Sequence, residues 1–166
     1  MALRPRRIEP GPGQESVWDY PRPPRLERTD AHVTVEHGGV VIADTTRAWR
    51  VLETSQPPAF YLPREDLAVD HLRPAAGQSF CEWKGVASYL DVVVGDVVSP
   101  AAGWTYPDPT PPFLAITDHV AFYPQRLDGC FVDGERVDPN EGSFYGGWIT
   151  SKVVGPFKGG TGTQGW

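Results

Sequence analysis

Cysteine and methionine are scarce in this chain of 166 residues, with two of the first and one of the second. Two cysteines cannot staple a disulfide scaffold, so the fold must rest on a hydrophobic core. A chain of this length can build one, burying about two-thirds of its unfolded surface. Long apolar runs are missing: nothing approaches the roughly 18 residues of a membrane-spanning helix, and runs such as Val92-Val93-Val94 are strand-sized. No apolar stretch follows the early Arg4, Arg6 and Arg7, so no secretory signal is expected. With the thiols of Cys81 and Cys130 free, the expected compartment is the cytoplasm. Positive charge is in deficit as well. Fifteen Lys and Arg against 21 Asp and Glu leave a net charge of -6 and a pI of about 5.1. That excludes the basic footprint of a duplex-binding protein.

Glycine and proline, 18 of each, are plentiful, and they exclude a helical bundle because both interrupt helices. Residues 1–30 read as an N-terminal arm with six Pro, six Arg and five acids, extended by its prolines rather than basic overall. Its second half, around Trp18 and Tyr20, is expected to pack along the body, and its first dozen residues to be mobile. Residues 31–140 read as a β domain. Val33 and Val35 alternate, Gly38-Gly39 supplies a hairpin turn, and Val40-Val41-Ile42-Ala43 returns. Pro57 to Pro63 reads as an edge segment bracketed by prolines. Pro63-Arg64-Glu65-Asp66-Leu67 reads as the start of a helix of about two turns. Ser79 to Tyr89 alternates, and Val92 to Val98 carries a hairpin signature at Gly95-Asp96. Residues 141–166 read as a Gly-rich tail wrapping the domain. The whole predicts a mainly β single domain of short strands with one or two short helices.

Several blocks occur in a fixed order: Glu15-Ser16-Val17-Trp18-Asp19-Tyr20-Pro21, Gly38 to Asp44, Glu53-Thr54-Ser55-Gln56-Pro57-Pro58, Tyr61 to Asp66, Cys81-Glu82-Trp83-Lys84-Gly85, Trp104-Thr105-Tyr106-Pro107 and Ala121-Phe122-Tyr123-Pro124. In them the chain, over roughly residues 15 to 137, resembles the bacterial and fungal family known as domain of unknown function 427. The resemblance implies folded antiparallel sheets similar to the tent-like fold of methionine sulfoxide reductase B. The family is catalogued as nucleotidyltransferase-like, yet nothing here resembles the metal-binding carboxylate pair that follows a Gly-Ser turn in such enzymes. Tent-like relatives often hold zinc through paired cysteines; this chain lacks such pairs, so no structural zinc is implied. Kinship of fold does not carry function in any case.

The block around Lys84 is the most unusual. Read as a strand, it projects Glu82 and Lys84 from one face about 7 Å apart, either as an acid/base or anion-holding pair or as an exposed salt bridge of little consequence. Cys81 reads either as a nucleophile, given a nearby His119, His71 or Lys84, or as a buried small hydrophobe beside Trp83. A metal set of Cys81, His119 and Cys130 fits no recognised zinc spacing, and no metal is expected. Glu53, held on stiff backbone before Pro57-Pro58, reads as a general base or as a carboxylate capping a turn. Tyr61 and Tyr106 lie beside prolines on irregular backbone, and with Trp104 they suit pocket walls. The glycine-rich run Gly155 to Thr163 lacks the spacing of a phosphate loop. No dinucleotide fingerprint or haem motif appears, so no cofactor is expected.

The residues therefore point to a small-molecule-binding β domain, acting as a cofactor-independent acid/base enzyme (isomerase, lyase, cyclase or hydrolase). Glu53 and Lys84 would be its catalytic groups and Tyr61, Trp104 and Tyr106 its substrate contacts. The alternative is a non-catalytic binding or protein-interaction module. The expected partner is a small-molecule ligand, with no nucleic acid and no membrane; a homodimer is compatible with the sequence.

Overall fold

The structure, a computed structural model, describes residues 5–142 and 145–166. Positions 1–4 of the arm and 143–144 of the tail lie outside the described residues. The strands are β1 Glu15–Ser16, β2 Arg25–Arg28, β3 Val33–His37, β4 Val40–Thr45, β5 Trp49–Leu52, β6 Ala59–Tyr61, β7 Leu72–Cys81, β8 Gly85–Val94, β9 Val97–Thr105, β10 Val120–Phe122, β11 Gly129–Val132, β12 Glu135–Arg136, β13 Asp138–Pro139, β14 Trp148–Ile149 and β15 Val153–Val154. Among the described residues, the helical content is four single 3-10 turns and the longer, kinked 3-10 helix Pro111–Ile116. The architecture is mainly β, in folded antiparallel sheets.

The β3–β4 hairpin turns on Gly38 and Gly39, at φ 57° and 77°. A two-residue primed turn requires that left-handed pair. Strand β11 pairs with the other side of β3, giving the order β12-β11-β3-β4. A second sheet runs β10-β9-β8-β7, and a third runs β2-β5-β6. Strand β6 is an edge of the third sheet, as its bracketing prolines lead one to expect. That edge does not stay open: Leu62 and Val120 exchange backbone hydrogen bonds of 2.9 Å each way, so the third sheet meets the second at β10.

Two local readings are corrected. After Pro63 the chain makes one 3-10 turn, Arg64–Asp66, and not a two-turn helix. The Leu67 amide closes back on the Arg64 carbonyl, and Ala68 then donates to Ile42 of β4 at 2.8 Å, so sheet pairing captures the backbone before a helix can propagate. The alternation of Ser79 to Tyr89 also breaks. Cys81 and Gly85 pair across a hairpin, and Glu82-Trp83-Lys84 is its turn. Gly85, at φ 104°, takes a backbone angle that L-residues avoid.

Alternation along the joined sheets gives each face its own job. One face carries Phe60, Leu62, Leu90, Val92, Val120 and Phe122 into the main core, against Val33, Val35 and Ile42 of the β3–β4 hairpin. The other carries Val51, Tyr61, Ala87, Trp104, Ala121 and Tyr123, an aromatic layer. Arm and tail pair with each other. Strand β1 runs parallel to β15, and Trp18 Nε1 donates to the Pro156 carbonyl at 2.9 Å. Val17 and Tyr20 are buried with Leu52 and Val153. The attachment begins before the second half of the arm, since the Ile8 amide donates to Gly155 at 3.1 Å. Among the described residues, no helix is long and apolar enough to cross a membrane.

Candidate functional site

Above the aromatic face lies a cavity of about 560 Å³. Glu53, Tyr61, Lys84, Trp104 and Tyr106, five residues brought forward from the sequence for separate reasons, all line it. They reach it from β5 and its following loop, β6, the β7–β8 turn, and β9 and its following loop.

Lys84 enters from the turn. The turn is fastened from outside: Thr110 donates its amide to the Lys84 carbonyl at 3.1 Å and its hydroxyl to the Trp83 carbonyl at 2.5 Å. Glu82 and Lys84 therefore do not share a strand face. Glu82 is exposed, while the Lys84 side chain folds inward and is 9% exposed. Its Nζ stands 5.7 Å from the centre of the Tyr106 ring and 6.0 Å from that of Phe113, within reach of cation–π attraction. Among the described residues, no carboxylate comes within ion-pair distance of it. Burial works against the ammonium charge, whereas the Tyr61 phenol, the Cys81 thiol and the Glu53 carboxylate favour it, and the balance holds Lys84 above the ordinary lysine value. The phenol helps only where it carries charge, in alkali. At neutral pH the ammonium is left with Glu53, the neighbouring Cys81 and the ring faces.

The aromatic wall is hydrogen-bonded internally. Trp104 Nε1 donates to the Tyr61 hydroxyl at 3.0 Å, the two rings crossing at 89°. Tyr106 tilts against Tyr61 with centroids 6.2 Å apart, and their hydroxyls interact. Tyr123 packs on Trp104 at 4.6 Å. Burial pushes the phenols of Tyr61 and Tyr106 up, and that of Tyr123 up to about 12. All three stay neutral donors at ordinary pH. Tyr61 already accepts from Trp104, so its own O–H proton is the one it can offer a ligand.

Glu53 follows β5 at the rim. Its side chain is 16% exposed, and its Oε2 lies 3.4 Å from Nε of Arg22. The same guanidinium donates to the carbonyl of Thr54 at 2.9 Å and to that of Trp166 at 3.4 Å. The carboxylate is thus aimed by an arginine of the arm rather than capped by turn amides.

Sequence reasoning passed over part of the wall. Trp83, Tyr89, Tyr123, Tyr145 and Lys158 line the cavity too. The tail residues close it through Gly146 and Gly147. A Cβ at Gly146 would run into the Trp104 ring, and one at Gly147 would come within 2.5 Å of the Pro57 carbonyl. That glycine pair between Tyr145 and Trp148 was the readable signal, because glycine between aromatics marks a close approach. Lys158 is anchored by its backbone, donating to Ser55 at 2.8 Å, and its Nζ stands 5.6 Å from the Tyr145 ring centre.

Cys81 lines the cavity beside Lys84, whereas Cys130 is buried in the main core. Both are free thiols. His119 lies on an exposed loop and His71 bonds the Val93 carbonyl at 2.8 Å; neither lines the cavity. Among the described residues, no three His, Cys, Asp or Glu side chains gather as a metal site would require. A second, more open hollow of about 620 Å³ lies over the bulge between Pro74 and Gln78, and none of the five residues lines it.

The sequence profile of the family described as "Domain of unknown function (DUF427)" matches residues 25–133, more than half of the chain. The span includes Glu53, Tyr61, Lys84, Trp104 and Tyr106 and leaves out the wall of Tyr145, Gly146, Gly147 and Lys158. No curated protein matches the chain.

Proposed function

The chain belongs to this family of unknown function, DUF427, and on that premise we propose that it is a small-molecule-binding β domain that takes a compact organic anion and acts on it by proton transfer. Lys84 carries the reading. Desolvating an ammonium costs several kcal/mol unless an anion repays it. Lys84 is nine-tenths buried in an aromatic pocket with no carboxylate at ion-pair distance among the described residues. A carboxylate or phosphate of the ligand repays that cost. Tyr61, Trp104 and Tyr106 cover the apolar body of the ligand, with the Tyr61 O–H available to a carbonyl oxygen. Glu53, oriented by Arg22, exchanges a proton with the bound molecule. This is the chemistry of an isomerase, lyase, cyclase or hydrolase, and it calls on no redox cofactor.

A second reading, a binding module without catalysis, draws support from Phe80. Phe80, at the edge of the cavity, is 74% exposed and pairs with Val86, 45% exposed, across the β7–β8 hairpin. Such a rim suits contact with a second surface.

Native mass spectrometry of the protein as purified from cells, then of the same sample denatured, tests the first reading. A mass excess that disappears on denaturation, and is missing from Lys84→Ala, is the expected result. An excess kept in full by a folded Lys84→Ala variant would refute the role given to Lys84.

A further inference from the structure

One reactive group in the cavity has no part in the function just proposed. Cys81 ends β7 and Lys84 closes the turn after it, so thiol and ammonium interact across Glu82-Trp83. Both line the cavity, Cys81 half-buried and Lys84 nine-tenths buried. The other thiol is placed oppositely. Cys130 is 1% exposed in the main core, and burial pushes it up to about 12. The chain thus holds one thiol out of reach and sets the other beside a cation that has no carboxylate at ion-pair distance among the described residues.

We propose that Cys81 is the nucleophile of the pocket, bonding to a carboxylate ligand at an electrophilic carbon next to the carboxylate that Lys84 holds. The proposal rests on Lys84 as the anion anchor and adds a substrate class to it. Because sulfur and ammonium are neighbours, a carboxylate on Lys84 brings its adjacent carbon to Cys81 before any other. That carbon accepts a nucleophile when it belongs to an alkene conjugated with a carbonyl at the far end, as in a 4-oxo-2-enoate. The aromatic layer takes the planar body, and the Tyr61 O–H meets the far carbonyl. In the step itself, sulfur adds to the alkene carbon bearing the carboxylate. The π pair moves towards the far carbonyl as an enolate, and the proton given up by the thiol returns to the neighbouring carbon. One S–C bond forms, one π bond breaks, and neither oxidant nor leaving group is needed. The adduct can reverse along the same path after rotation about the former double bond, which isomerises the alkene.

The test uses 3-benzoylacrylate and its uncharged methyl ester on the whole protein, read by intact mass and peptide mapping. The ratio of acid to ester rates in the folded chain is compared with the ratio in the chain unfolded in urea. Expected is an adduct of the whole reagent on Cys81 and not on Cys130. Folding should raise the acid-to-ester ratio by about tenfold or more, the scale of local concentration by a focused charge. Lys84→Met should return it to the unfolded ratio, and Lys84→Arg, which keeps the charge, should retain it. Adduct on neither thiol of the folded chain, adduct on Cys130 first, or a ratio unchanged by folding would each overturn the proposal. Benzoate separates the two readings. If Cys81→Ser retains benzoate in native mass spectra and Lys84→Met does not, while Cys81 forms no adduct, the nucleophile falls and the anion anchor stands. If benzoate is not retained and the ratio is flat, both fall.

Discussion

The indole N–H of Trp104 donates to the hydroxyl of Tyr61 at 3.0 Å, deep in the aromatic layer and with the rings almost perpendicular. Tyr61→Phe therefore leaves a buried donor unpaired and should cost about 1–3 kcal/mol in urea unfolding. Adding Trp104→Phe should cost less than the two single changes summed, because the second change removes the orphaned donor. Strict additivity would show that the bond does not matter to stability.

Lys84→Met should behave in the opposite way. It replaces an ammonium without an ion pair by an apolar chain of similar length among Tyr106 and Phe113. At neutral pH the fold should be as stable as the parent or more so, in keeping with buried charges replaced by packed apolar groups. Ligand retention should be lost. A loss of more than about 2 kcal/mol in the unfolding midpoint analysis would mean that Lys84 is a structural cation.

Gly146→Ala tests the tail as a wall. The added methyl meets the Trp104 ring and lies 3.1 Å from Cδ1 of Tyr123. Overpacking of this kind costs about 1–3 kcal/mol. The tail should lift, so limited proteolysis should cut beyond residue 145 sooner than in the parent. Unchanged stability together with an unchanged cleavage rate would mean that the tail does not close the cavity.

Alkali should be the more damaging direction of pH. Burial raises the phenols of Tyr61, Tyr106 and Tyr123 and the thiol of Cys130, Tyr123 from 10.0 to about 12 and Cys130 from 9.0 to about 12. A group raised by folding gives its full stabilisation below its unfolded value and loses it as pH climbs towards the folded one. The unfolding midpoint should thus fall steadily between about pH 9 and 12. Phenolate absorbance should rise together with unfolding, not ahead of it. Titration of these tyrosines in a chain that keeps its folded circular dichroism would contradict their burial.

Much of the fold was legible because its turns are spelled in glycine. Gly38-Gly39 declared the first hairpin, and prolines declared β6 an edge. What failed were readings in which a local pattern competed with sheet pairing. Cys81/Trp83 against Glu82/Lys84 alternates as a strand does, yet Gly85 and the grip of Thr110 make those residues a turn. Pro63 begins a helix well, but Ile42 captures the next amides. The five residues chosen for the site do meet in one cavity. Tyr145 was signalled only by the glycine pair beside it, and Lys158 was out of reach, since only the return of the tail across Pro57 and Trp104 brings it there.

The cavity draws its walls from Val51 to Lys158. Synthesis on the ribosome proceeds from the first residue to the last, and domains complete themselves as segments emerge. The β7–β8 turn with Lys84 emerges well before Gly146, Gly147 and Lys158. A chain arrested between the two presents its lysine in an open trough without the closing wall. A ligand of the kind proposed should therefore be held less well by a chain arrested before Gly146 than by one that carries the closing wall.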